Sequence, residues 1–253
     1  MASVPAHALS LHLPGIFMKP TAPDIYVVDG NITLFYGLHS DDFKKDILHS
    51  SLLAQLTANS TPDTWFADYK KTLNNLFWAL KSFENRTIKK EPSSFLSLAK
   101  IGLSSALQEE QLQQLGHAFS IIKQLPDDSP IIKAVLNKIQ RKNAPVAHPG
   151  SLIPGEKTTF TISTLLTIVC ENKTTLSFHL SFKTSRAVDI TILDQEISQR
   201  AILDDPETVL WTTHLQEDKY EGVRNRVTGK LGSTVNTHLF HIDPATPIHS
   251  MKG

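Results

Sequence analysis

Apolar residues recur along this chain with two periods, and the change from one to the other divides it. From Ser40 onward, Phe43, Ile47, Leu48, Leu52 and Leu56 fall on one helical stripe. Ser40 is placed to cap that helix, and Asp41 and Asp42 put negative charge in its first turn, where the helix dipole favours it. Residues 58–60 stop it. Thr61 followed by Pro62 begins a second helix, because proline loses nothing at the first helical position. Its stripe is Trp65, Tyr69, Leu73, Leu76, Leu80 and Phe83, widened by Phe66, Phe77 and Trp78, and this spacing predicts one helix running to about Glu84.

Around this pair the pattern is simple. Residues 1–23 are irregular and carry Pro5, Pro14, Pro20 and Pro23. Residues 24–37 read as a hairpin, with Asp29-Gly30 as its turn. Asn85 to Pro92 reads as a polar connection. Ser93 or Ser94 caps a third helix through Phe95, Leu98, Ala99 and Leu103, which Gly102 weakens. Glu109 to Leu125 is a fourth, and Ser129-Pro130 opens a fifth that ends in Lys138, Arg141 and Lys142. Short connections favour antiparallel packing of these helices.

At Asn143 the chemistry turns to proline and glycine, and beyond it the period is two. Thr158 to Val169 is rich in threonine and isoleucine. Leu176, Phe178, Leu180 and Phe182 then alternate with Ser177, His179, Ser181 and Lys183. Val188 to Ile192, Thr208 to Thr213 and Thr234 to Ile242 are further candidate strands, and Glu217 to Leu231 is a late helix ended by Gly232. The class that follows is α+β. It has an N-terminal hairpin and helical bundle over 1–142, a linker at 143–156, and an antiparallel β-rich region over 157–253 with one late helix. The two parts are either separate or one continuous domain.

Composition removes several functions. Of 253 residues, 40% are hydrophobic, enough for a sizeable core, and 25 basic residues balance 25 acidic ones. That balance, with only short basic clusters at 86–90 and 138–142, speaks against nucleic acid as a partner. The single Cys170 allows no intrachain disulfide. The first 22 residues lack the charged-then-apolar pattern of a secretory leader, and no run of 18 apolar residues exists. The expected location is cytoplasmic, or outside the cell by a route without a signal peptide.

Catalytic motifs are missing. Gly150 to Thr159 resembles a phosphate-binding loop with one residue too many, but Glu156, Pro154 and a following strand fit a linker turn better. His238 and His241 would face opposite sides of a strand, so no metal site is assigned. No Gly-x-Ser-x-Gly elbow is present. No catalytic residue and no cofactor is therefore expected.

Two features remain as candidate sites. Trp65, Tyr69 and Trp78 form either a helical core or a binding surface. Cys170, between Val169 and Glu171, is either a small core residue or an acylation site joining the protein to a bilayer. The alternating strands between Thr158 and Lys183 fit an ordinary solvated sheet face, which is the simpler expectation, or a membrane-inserting hairpin. The function expected is a non-enzymatic binding or effector protein, in its sharper form a membrane-active toxin or virulence factor. A protein partner or peripheral lipid contact, and a homo-oligomer, go with it. The alternatives are a self-assembling structural protein and an enzyme of unrecognised type.

Overall fold

The Asp29-Gly30 pair has φ of 47° and 83°, the positive values that a tight two-residue hairpin turn demands. It folds β1 (Asp24–Val28) back onto β2 (Asn31–Phe35). The structure, a computed structural model, describes residues 22–89, 91, 93–143 and 158–243. The first 21 residues and the loop Gly150 to Lys157 lie outside it.

After the hairpin comes α1 (Asp41–Ala58), capped by Ser40, whose hydroxyl accepts the Phe43 N–H at 3.3 Å. The second helix is shorter than its apolar stripe implies. α2 spans Trp65–Asn75, and Phe77 then adopts a φ of 65°. The chain turns there into a strand, β3 (Trp78–Thr87), which pairs antiparallel with a strand more than 120 residues later in sequence. The predicted helical half from Trp78 to Phe83 is thus extended backbone, and so is the first part of the supposed polar connection. Helical spacing and tertiary pairing compete here. Pairing wins because it satisfies a whole row of backbone groups at once. Leu80 and Phe83, predicted as core, are left 58% and 44% exposed.

The next three helices form where expected. They are α3 (Phe95–Leu103), closed by a capping box between Ser94 and Ser97, α4 (Glu109–Lys123) and α5 (Pro130–Ile139), capped by Ser129. A short strand, β4 (Gln140–Lys142), follows without any clear signal in the sequence. The long strands are β5 (Phe160–Val169), β6 (Thr175–Thr184) and β7 (Glu207–Leu215), and the late helix is α6 (Glu217–Leu231). Val188 to Ile192 is not a strand but leads into a 3-10 turn at Ile190–Leu193, opened by Asp189. The predicted last strand begins as helical turns, and only β8 (Leu239–Ile242) is extended.

All these strands join one sheet of order β3-β7-β6-β5-β2-β1-β8, with β4 beside β5, so strands from both sides of residues 143–156 share it. Pairing is antiparallel except between β2 and β5. The fold is α+β. One face of the sheet carries α3, α4 and α5; the other carries α1, α2 and α6. Close approach on the first face explains Gly102, since a Cβ there would lie 2.2 Å from the Phe178 ring. Gly30 likewise lets α5 reach the hairpin turn, 2.4 Å from an added Cβ to the Ala134 carbonyl.

Candidate functional site

The two faces of β5 and β6 are chemically unlike. Toward α3 to α5, Ile162, Leu166 and Ile168 meet Leu176, Phe178, Leu180 and Phe182, all buried. Toward α1 and α2, the same strands present Ser163, Thr167, Thr175, Ser177, His179 and Ser181, which follows from the two-residue repeat. A solvated face was expected for this polar side. Instead Thr167, Thr175 and Ser177 are buried, and α1 and α2 lie over them.

α1 meets this face with polar groups of its own. Asn31 on β2 donates to Gln55 Oε1 at 2.6 Å, and the Gln55 amide donates to Ser51 Oγ at 3.2 Å. Ser51 Oγ lies 3.2 Å from the Tyr69 hydroxyl, which also bonds Thr167. Asn31 Oδ1 accepts the Leu165 N–H at 3.0 Å, so the chain of bonds runs from sheet to α1 to α2 and back to the sheet. Burial pushes the Tyr69 phenol up to about 12, so it stays a neutral hydroxyl. The network is incomplete. Thr175 Oγ1, Ser177 Oγ and Thr213 Oγ1 are buried with no protein hydrogen-bond partner.

The candidate aromatics separate. Trp65 and Tyr69 stand one helical turn apart on α2 and stack at 5.3 Å. Trp78 is not with them. It begins β3, is fully buried, and donates its indole N–H to Ser50 Oγ on α1 at 3.0 Å. Tyr69 and Trp78 are core residues, while Trp65 is half-buried at a pocket rim.

That pocket, of about 500 Å³, lies where α2, the end of α5 with β4, and the β5–β6 face converge. Its floor holds Ser163, with Oγ 3.0 Å from His179 Nε2. The His179 ring stacks on Phe66 at 4.4 Å. Burial, with Lys70 adding to it, pushes this imidazole down to about 4, so it is neutral at physiological pH. Lys70 itself lies over Phe66 and Phe83, at 4.8 and 4.4 Å from the ring centres, and burial lowers its pKa. On the opposite wall Lys138 bonds Asp29 and Asn59, each at 2.8 Å, and sits over the Trp65 ring.

Cys170 is elsewhere. It follows β5, bonds the Thr174 carbonyl through its backbone N–H at 2.8 Å, and packs its half-buried side chain against the apolar face. Burial raises the thiol pKa, so the nucleophilic thiolate is disfavoured. His238 ends a helical turn, with Nδ1 3.2 Å from the Thr234 carbonyl, and His241 stacks on Tyr26. No cluster of three metal-ligating side chains exists among the described residues.

The polar network residues Asn31, Ser51 and Gln55, and the pocket pair Ser163 and His179, were not singled out from sequence. A signal was present. Ser51 and Gln55 fall beside the Ile47, Leu48 and Leu52 stripe of α1, and the polar half of a strand alternation is a surface as continuous as the apolar half.

No protein-family model matches the chain. No curated protein matches it either. Among solved structures, distant likenesses are to toxins and a virulence factor. A delta-endotoxin shares 13% identity over 85% of this chain and 91% of its own, at a TM-score of 0.42. The activated Cyt2Ba monomer from Bacillus thuringiensis subsp. israelensis shares 12% over 74% and 98%, also at 0.42. The Evf virulence factor shares 8% over 81% and 83%, at 0.34. At such scores the likeness says nothing of residue roles.

Proposed function

We propose that this protein is a membrane-active effector whose membrane-entering part is the β5–β6 hairpin. The observation that supports this is the two-sided chemistry of that hairpin. Each strand has ten residues, the length a tilted strand needs to cross a hydrocarbon core. One side is apolar apart from Thr164 and Thr184, and the other bears hydroxyls along both strands, with Leu165 and Val169 among them on β5. On insertion the apolar side would exchange α3 and α5 for lipid, which is close to neutral because lipid tails are as apolar as leucine. The hydroxyl side would exchange α1 and α2 for water, and the two partnerless hydroxyls of β6, on Thr175 and Ser177, would gain hydrogen bonds.

The edge of the sheet limits the inserting unit. β3, separated from the hairpin by β7, carries Glu84 and Arg86 on the apolar side of the sheet, so it cannot face lipid cheaply. A lone hairpin leaves two open edges, which hydrocarbon does not tolerate, so several copies would have to join. No helix among the described residues is long and apolar enough to cross a membrane, so a helical span is not the route.

The test is incubation with dye-loaded anionic and neutral vesicles, reading leakage and co-sedimentation together. Leakage is expected, and a Thr175→Val/Ser177→Val variant, which removes the two partnerless hydroxyls of β6, should leak far less while remaining folded. Absence of both binding and leakage sinks the reading. Sedimentation without leakage would replace it with a peripheral or acyl-anchored protein. An intact mass above 28.1 kDa by a fatty-acyl increment would then point to Cys170.

A further inference from the structure

We infer that the pocket between α2, β4 and the β5–β6 face is a glycan site, taking one or two uncharged sugar rings. This does not depend on membrane insertion.

Its volume of about 500 Å³ admits a mono- or disaccharide and little more. The described lining residues include no Asp or Glu, so a cationic ligand finds no counter-charge. An anion fares little better. The Lys138 ammonium is already held by Asp29 and Asn59 and lies over Trp65, and Arg141 has an interaction of its own. The His179 imidazole is neutral at physiological pH and its ring is stacked on Phe66. An acyl chain would have to lie on Ser181 and on the Ser163–His179 and Thr161–Asn143 hydrogen bonds, and would take water from the Ser181 hydroxyl and the Asn137 amide without replacing it.

What the pocket does offer is hydroxyls on its floor, the Asn137 amide on its wall, and the amide N–H groups of Gln140, whose Oε1 accepts the Val188 N–H at 3.0 Å. Both group types carry donors and acceptors together, which is the requirement set by a ring of sugar hydroxyls. Trp65 stacks on Tyr69 and carries Lys138 over its ring, so it supplies an apolar wall rather than a free stacking face. The expected binding is therefore weak and hydrogen-bond-led, with millimolar to high-micromolar Kd.

The experiment is ligand-observed NMR on the full chain with glucose, galactose, mannose, N-acetylglucosamine and lactose, repeated with inorganic phosphate as the competing class. Saturable binding of at least one sugar is expected. Ser181→Leu and Asn137→Leu both alter pocket-lining positions that are not core, and each should weaken it at least tenfold with the thermal melt unchanged. Vesicles with and without glucosylceramide separate the two sources of such a group. Retention by the glycolipid vesicles that soluble sugar competes away assigns a lipid-borne sugar. Binding of soluble sugar alone assigns a free saccharide. The inference is overturned if no sugar saturates, if both variants bind normally, or if phosphate binds here in place of sugar. Vesicle leakage plays no part in these readouts, so either proposal can fail alone.

Discussion

The two faces of the central sheet are built from the same strands yet hold their helices by different physics. Under α3, α4 and α5 the contact is dry and apolar, with Phe95, Phe119 and Phe178 stacked in series. Under α1 and α2 a second apolar cluster, which includes Ile47, Leu52, Leu165, Val169 and Trp211, is crossed by a network of hydroxyl, amide and phenol, with three buried hydroxyls left over. Apolar contacts are non-directional and tolerate small shifts, whereas a polar network is worth its full value only when every member is paired. Both faces bury apolar residues, and the difference is that the second also carries buried polar groups that are not all paired.

Core truncations on either face test this with the largest effect. Phe119→Ala should cost about 3–5 kcal/mol in urea denaturation, and Trp78→Ala a similar amount, since it also strands the Ser50 contact. If Trp78→Ala folds normally and only loses a binding activity, its assignment to the core fails.

Acid should strain the polar face alone. His179 is pushed down to about 4 by burial and by Lys70, whereas an unfolded histidine titrates near 6.5. As pH falls, the unfolded chain takes up this proton first. Stability is full above about pH 7 and is lost progressively from about 6.5 to 4, by about 3 kcal/mol in all. Denaturation midpoints across that window, compared with those of His179→Gln, isolate the effect. A variant with an equally steep acid loss would exclude His179 as its source.

A smaller cost belongs to the clasp between α1 and α6. Buried Asp46 accepts two bonds from Arg224, at 2.8 and 2.7 Å, and the arginine is partly solvated. Arg224→Ala should lower stability by about 2 kcal/mol, because it leaves a buried carboxylate unpaired. Finally, Ser177→Ala should raise stability by about 1 kcal/mol by removing an orphaned hydroxyl. A loss there would mean that the hydroxyl has a partner in solution and that the two faces are more alike than drawn.

Much of the fold was legible because its signals are local. Caps at Ser40, Ser94 and Ser129, proline at the start of α5, the Asp29-Gly30 turn and the alternation along β6 act within a few residues. The candidate site was legible only in fragments. Trp65 and Tyr69 were read as neighbours through their four-residue spacing, and they are. Trp78 was read as widening that stripe, which requires the helix to continue, and the chain leaves the helix at Phe77.

What the sequence determined by itself is the type of most elements and the two-sidedness of the long strands, since both follow from side-chain period and short-range capping. Tertiary structure decided three things. It made residues 78–87 a strand, because β7 offered a row of backbone partners. It placed β2 parallel to β5, so that strands from both ends of the chain share one sheet. It laid helices over the hydroxyl face, because α1 carries the Ser51 and Gln55 groups that a polar sheet can bond. Each depends on which distant group arrives opposite, and no local period records that.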